Sequence, residues 1–220
     1  MRIAIYYVPD ADDPLHAQGS AWLGRDIETG RTLAEPAFPD LARLTASPRR
    51  YGFHATLKAP FTLAGSLPDF LAEAEQFASA LAPVVLPPLE VAGIAGFAAL
   101  CLVRPCPALS ALACAAVTAL DHFRLPEAPD QAARRAAACT PRQQALLARW
   151  GYPFVLEEWR FHMTLSNVGA ASPALLAAAA SHFKATLSLP RQVRSLAICI
   201  EPDPGEPFRL AARLWLAASQ

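Results

Sequence analysis

Residues Tyr51–Phe61 read YGFHATLKAPF, and residues Arg160–Ser166 read RFHMTLS. Both contain Phe-His-x-Thr-Leu. The chain has five histidines, and two of them, His54 and His162, occupy this one setting. They lie 108 positions apart in a chain of 220, close to half its length. Each motif reads as a strand, and each is followed by a helical stretch and then two further strand-like runs. That order predicts an internal duplication.

Residues two apart on a strand point to one face. His54 and Thr56 therefore share a face with Gly52 and Lys58, while Phe53, Ala55 and Leu57 turn to the other. In the second copy His162 and Thr164 share a face with Arg160 and Ser166, and Phe161, Met163 and Leu165 turn away. A pseudo-twofold relation would bring the two polar faces together across a groove. That predicts two imidazoles, two hydroxyls and two cations, Lys58 and Arg160, around one ligand. The set suits a phosphodiester. One neutral imidazole accepts a proton from the nucleophile, the other, protonated, donates one to the leaving oxygen, and each transfer contributes about 10²–10⁴-fold. Threonine hydroxyls and a cation suit the non-bridging oxygens. Two histidines without a carboxylate make a poor metal site, so no metal and no cofactor are expected.

The motifs resemble those of the two-histidine phosphoesterase superfamily, which includes RNA and cyclic-nucleotide phosphodiesterases. RRYGFHATLKAPF (49–61) and RWGYPFVLEEWRFHMTLS (149–166) resemble more closely a bacterial branch known only as a domain of unknown function and found in phosphonate-utilisation gene neighbourhoods. GSAWLGRD (19–26) and EPDPGEPFRL (201–210) extend the likeness over most of the chain. The resemblance implies a bilobal fold, metal-independent chemistry on cyclic phosphates or phosphodiesters, and catalytic positions at His54, Thr56, His162 and Thr164. It also tips Tyr7 towards the groove. The phase of Tyr7 with Ile3 and Ile5 suits core packing equally.

The remaining sequence bounds this reading. The chain is 54% hydrophobic and 17% charged with zero formal net charge, enough apolar surface for a core and no basis for a broad grip on duplex DNA. The most apolar run, 83–103, is broken by Pro87, Pro88, Glu90, Gly93 and Gly96, so no membrane span is expected. The N-terminus lacks a signal-peptide pattern. Five cysteines without CxxC spacing fit a reducing cytoplasm. His16, His122 and His182 read as structural. Trp22 reads as a core residue, with base stacking as the competing role.

Strands are expected at 2–8, 51–58, 84–91, 96–103, 159–166, 193–200 and 208–216, and helices at 68–82, 107–123, 141–150 and 172–187. Residues 10–48, punctuated by proline and glycine, are expected to be irregular apart from a short helix near 40–45. The expected architecture is α+β: one bilobal domain over 1–220, with pseudo-symmetric lobes near 1–105 and 106–220 and strand exchange between them allowed. Each lobe is an antiparallel sheet with helices on its outer face, and the active-site groove lies between the lobes. The expected function is a cytoplasmic, monomeric cyclic phosphodiesterase that opens a 2′,3′-cyclic nucleotide or RNA end or a ribose cyclic phosphate, with Lys58, Arg160 and Tyr7 as substrate contacts. The competing readings are an RNA-end ligase or cyclase and a non-catalytic binder of a phosphorylated ligand. The absence of GxSxG and of a P-loop argues against a serine hydrolase and a nucleoside-triphosphate enzyme.

Overall fold

A computed structural model describes residues 1–217. The alternation at the N-terminus sets the first strand, β1 (Arg2–Tyr7): Ile3, Ile5 and Tyr7 join the main core, while Ala4 and Tyr6 pack on the opposite face. β1 pairs antiparallel with β2 (Ala55–Thr62) on one side and with a strand from the far end of the chain, Ser195–Glu201, on the other. Between these lie β3 (Val84–Leu86), β4 (Leu89–Ile94), β5 (Phe97–Leu102), β6 (Met163–Thr164) and β7 (Arg191–Val193). Ser195–Glu201 is β8, and Arg209–Trp215 is β9. The main sheet has seven strands in the order β4-β5-β6-β2-β1-β8-β9, and β3 and β7 form a separate ribbon. Every pairing is antiparallel.

The two halves of the sheet meet at a single residue pair, Ala55↔Met163. One half is β2-β1-β8-β9 and the other β4-β5-β6. Each combines strands from before and after residue 105, so a boundary at 105/106 does not divide the sheet. Strands are exchanged in both directions.

Helices cover one face. α1 (Pro14–Trp22), α4 (Leu67–Ser79), α5 (Pro107–Ala119) and α8 (Pro173–Phe183) put Leu15, Trp22, Phe70, Ala74, Leu109, Leu112, Leu175 and Phe183 into one core with Ile3, Ile5, Leu57, Met163 and Ile198. Two short helices, α2 (Leu41–Leu44) and α3 (Ala46–Tyr51), precede β2; α6 (Pro129–Ala136) and α7 (Pro141–Trp150) lie in the second half. The caps follow the sequence: the Ser66 and Ser172 side chains accept from backbone N–H groups of the first turn, and Thr140 with Gln143 completes a capping box. Among the described residues no helix is long and apolar enough to cross a membrane.

α1 departs from expectation, since the proline and glycine punctuation of 10–48 predicts irregular structure there. Asp13 caps it, Pro14 starts it and Gly19 fits inside it for a steric reason: a Cβ there would overlap the Phe53 ring. The glycine that reads as a breaker is a close-packing point between α1 and the residue before His54. The expected strand at 159–166 shrinks to Met163–Thr164, which pairs with both β2 and β5.

Candidate active site

The pair Ala55↔Met163 fixes the site. In an antiparallel register the neighbouring positions also come opposite each other, His54 facing Thr164 and Thr56 facing His162. Ala55 and Met163 point into the core, so all four polar side chains stand on the other face. There they line one cavity of about 570 Å³, which continues along β2 past Ala59 and Pro60. Two indoles brace the motif backbones: Trp159 Nε1 donates to Thr56 O at 2.8 Å and Trp22 Nε1 to Leu165 O at 2.9 Å.

The imidazoles are held alike. His54 Nδ1 lies 2.8 Å from Gly52 O, and His162 Nδ1 lies 3.0 Å from Arg160 O. A carbonyl only accepts, so Nδ1 carries the hydrogen in both rings and Nε2 is left for chemistry. His54 Nε2 accepts from Thr56 Oγ1 at 3.2 Å. The environments differ. Tyr6 stacks on His54, with ring centroids 3.7 Å apart, and burial lowers the His54 pKa to about 4. The Gly52 carbonyl opposes that shift and the charge of a protonated His162 adds to it. His162 has Phe97 beside it, at 5.6 Å between centroids.

Three expected contacts are not made. Lys58 is buried and points to the core side, where Nζ donates to Val117 O at 2.9 Å and to Asp121 Oδ1 at 3.0 Å. The cause is a bulge: Tyr6 pairs with Thr56 but Ile5 pairs with Lys58, so one extra residue flips the parity after Thr56. Arg160 lies before the two-residue strand β6, where alternation no longer governs its direction. Its side chain is exposed and does not line the cavity, and only its carbonyl serves the site. Tyr7 is 2% exposed and packs in the core near Phe161. Tyr6 takes the place at the site. The signal was legible, since alternation sets Tyr6 opposite Ile3 and Ile5.

The cavity's cations come from elsewhere. Arg2 and Arg50 both pair with Glu201, which is 1% exposed and whose carboxyl is lowered to about 2, first by the hydrogen bond from Arg2 and then by that from Arg50. Arg124 and Lys58 both pair with Asp121. Two cations on one carboxylate leave a net positive charge in each group, and Arg2 and Arg124 carry it to the cavity wall. Trp22 is buried against Phe183 and does not line the cavity, so it braces the motif backbone and stacks on no base.

Comparison with known proteins places these residues among relatives. A family model described as "Protein of unknown function (DUF1045)" matches residues 56–209. A Janthinobacterium sp. (strain Marseille) protein named ribose 1,5-bisphosphate phosphokinase PhnN is 38% identical over 94% of this chain and 49% of its own length. A protein of the same name from Laribacter hongkongensis (strain HLHK9) is 39% identical over 98% of this chain and 52% of its own. The chain thus spans about half the length of the curated relatives it matches. Among solved structures, E. coli LigT complexed with NADP+ aligns over 99% of this chain and 98% of its own at 13% identity and a TM-score of 0.47. A structure titled only as a phosphoesterase aligns over 99% of each chain at 13% identity and a TM-score of 0.44.

Proposed function

The chain belongs to the DUF1045 family, and we propose that it is a phosphoesterase that opens a cyclic phosphate on a ribose with His54 as base and His162 as acid. One observation carries the reading: a single strand pair sets both His-x-Thr motifs on one cavity wall in crossed order. His54, kept neutral by burial, removes a proton from water through Nε2 as the water oxygen attacks phosphorus. His162 Nε2–H protonates the ring oxygen as its bond to phosphorus breaks. One P–O bond forms, one breaks, and the product is a phosphate monoester on the other sugar oxygen. His54 ends protonated and His162 neutral, and solvent exchange resets the pair. Thr56 and Thr164 donate to the non-bridging oxygens, and the net-positive groups around Glu201 and Asp121 make the cavity favourable to an anionic substrate. These residues supply proton transfer and charge stabilisation from the protein alone, which supports turnover without an added metal.

The name shared by the two relatives speaks of a kinase for ribose 1,5-bisphosphate. This chain aligns with about half of each and contains no P-loop, so the kinase step is not carried over. What supports the ribose reading is the association with ribose phosphate chemistry. The test is a panel of 2′,3′-cyclic nucleotides and ribose 1,2-cyclic phosphate incubated in EDTA and followed by phosphorus NMR. Expected is conversion of the ring signal to one monoester, lost in His54→Ala and His162→Ala. Tight binding without product would replace the enzyme by a binding protein.

A further inference from the structure

Arg124 stands where alternation of the motif strands does not reach. It follows the turn Asp121–Phe123 and bridges to Leu63 beyond the end of β2. Its Nε and Nη2 donate to the two oxygens of Asp121, each at 2.9 Å, and Nη2 also donates to Arg149 O at 3.0 Å. Gly151, with φ of 72°, makes room for it: a Cβ there would lie 2.9 Å from Arg124 Cδ and 3.1 Å from Nη1. Three hydrogen bonds and a close backbone fix the guanidinium plane. Among the described residues Nη1 is the one nitrogen of this fork without a protein partner, and the side chain lines the cavity. Asp121 is shared with Lys58, so the group keeps a net positive charge. Burial works against ionisation of Asp121, but the hydrogen bonds from Arg124 and Lys58 outweigh it.

The position matters as much as the charge. Arg124 shares a small neighbouring cleft with Ala59, Pro60 and Phe61. Thr56 and Ala59 are three residues apart, about 10 Å along a strand. We propose that Arg124 anchors a second anionic group of the substrate, a phosphate monoester carried about 10 Å or less from the phosphorus that reacts. Two phosphates on one ribose fall within that reach. The inference rests on the phosphoesterase reading for the identity of the reacting end. Arg135 adds no net charge, because Glu127 pairs with it. Arg2 also lines the cavity, entering at Thr62 beside the Leu63 bridge of Arg124, but the cleft that Arg124 shares with Ala59, Pro60 and Phe61 does not include it.

The test is equilibrium binding, which needs no turnover. Adenosine 3′-phosphate and adenosine 3′,5′-bisphosphate are titrated by calorimetry into the wild-type chain and into Arg124→Met, Arg124→Lys and Arg2→Met, with an unfolding midpoint for each. The second phosphate is expected to tighten wild-type binding at least about 10-fold, and Arg124→Met to reduce that gain to about 2-fold or less. Arg124→Lys, which keeps a charge beside Asp121, is expected to retain only part of the gain and carries the comparison if the methionine variant unfolds. A wild-type protein that binds neither compound or binds both equally overturns the proposal. So does a gain that survives in both Arg124 variants or disappears in Arg2→Met instead. A protein that shows the gain yet opens no cyclic phosphate refutes the catalytic reading and leaves the anchor standing.

Discussion

Tyr6 lies against His54 with ring centroids 3.7 Å apart and planes inclined by 25°. The stack covers one face of the imidazole and removes it from water, which penalises the charged form. Tyr6 is fully buried, and its hydroxyl has no hydrogen-bond partner among the described residues. Two variants therefore separate its roles. Tyr6→Phe keeps the stack and deletes an unsatisfied hydroxyl, so stability is expected to stay level or rise by about 1 kcal/mol in urea unfolding. Tyr6→Leu is expected to move the His54 pKa upward towards 6.5, read by NMR titration of the ring protons.

The same shift predicts how stability depends on pH. His54 titrates near 4 in the folded chain and near 6.5 when unfolded. Between those values the unfolded state binds more protons, so stability falls as pH drops from about 6.5 to about 4. Because one edge of the ring opens into the cavity, the loss is expected to be on the order of 2 kcal/mol, less than the full shift would give. Subtracting the His54→Gln unfolding curve from the wild-type curve isolates it; a difference that stays flat across this window contradicts the assignment.

Glu201 predicts a second acid-sensitive step at lower pH. Its carboxyl titrates near 2 when folded and near 4.5 when free, so its contribution is complete above about 4.5 and is lost as pH falls towards 2. Glu201→Gln leaves Arg2 and Arg50 facing each other without a counter-charge. Both guanidiniums are more than a third exposed and solvent screens them, so the expected cost is about 1–3 kcal/mol, measured by urea unfolding at pH 7.

Gly19 sets two opposing effects against each other. Alanine in a helix interior gains about 1 kcal/mol over glycine. Here the added methyl would overlap the Phe53 ring, and overpacking costs about 1–3 kcal/mol. Gly19→Ala is expected to be net destabilising, with the shift of Phe53 visible in the chemical shifts of the adjoining His54.

The fold and the catalytic quartet were legible for different reasons. The helices announced themselves through the helical spacing of Phe70, Ala74 and Phe77 and through Thr140 and Ser172 as caps with proline just inside the helix. His54, Thr56, His162 and Thr164 were legible because scarce residues recur in one setting, and the structure brings all four to one cavity. Parity then failed twice. It failed at Lys58 because a one-residue bulge reverses the faces, and at Arg160 because β6 is only two residues long. Arg124 sits in HFRLPEAP, which reads as a proline-rich loop. Its role depends on Asp121, Arg149 and Gly151, partners that no local pattern assigns. Glu201 likewise opened a turn-like EPDPGEP, and only the pairing of β1 with β8 sets it beside Arg2.

The most direct test of the paired-imidazole account varies the leaving group. Hydrolysis of a ribose cyclic phosphate, with a poor alkoxide leaving group, is compared with that of an activated aryl phosphodiester whose leaving group needs no proton. His54→Ala is expected to slow both by about 10²–10⁴-fold, whereas His162→Ala slows the alkoxide substrate by that factor and the aryl substrate by less than about 10-fold. Equal losses in both variants on both substrates, or a dependence that follows His54 instead of His162, would contradict the assignment of base and acid.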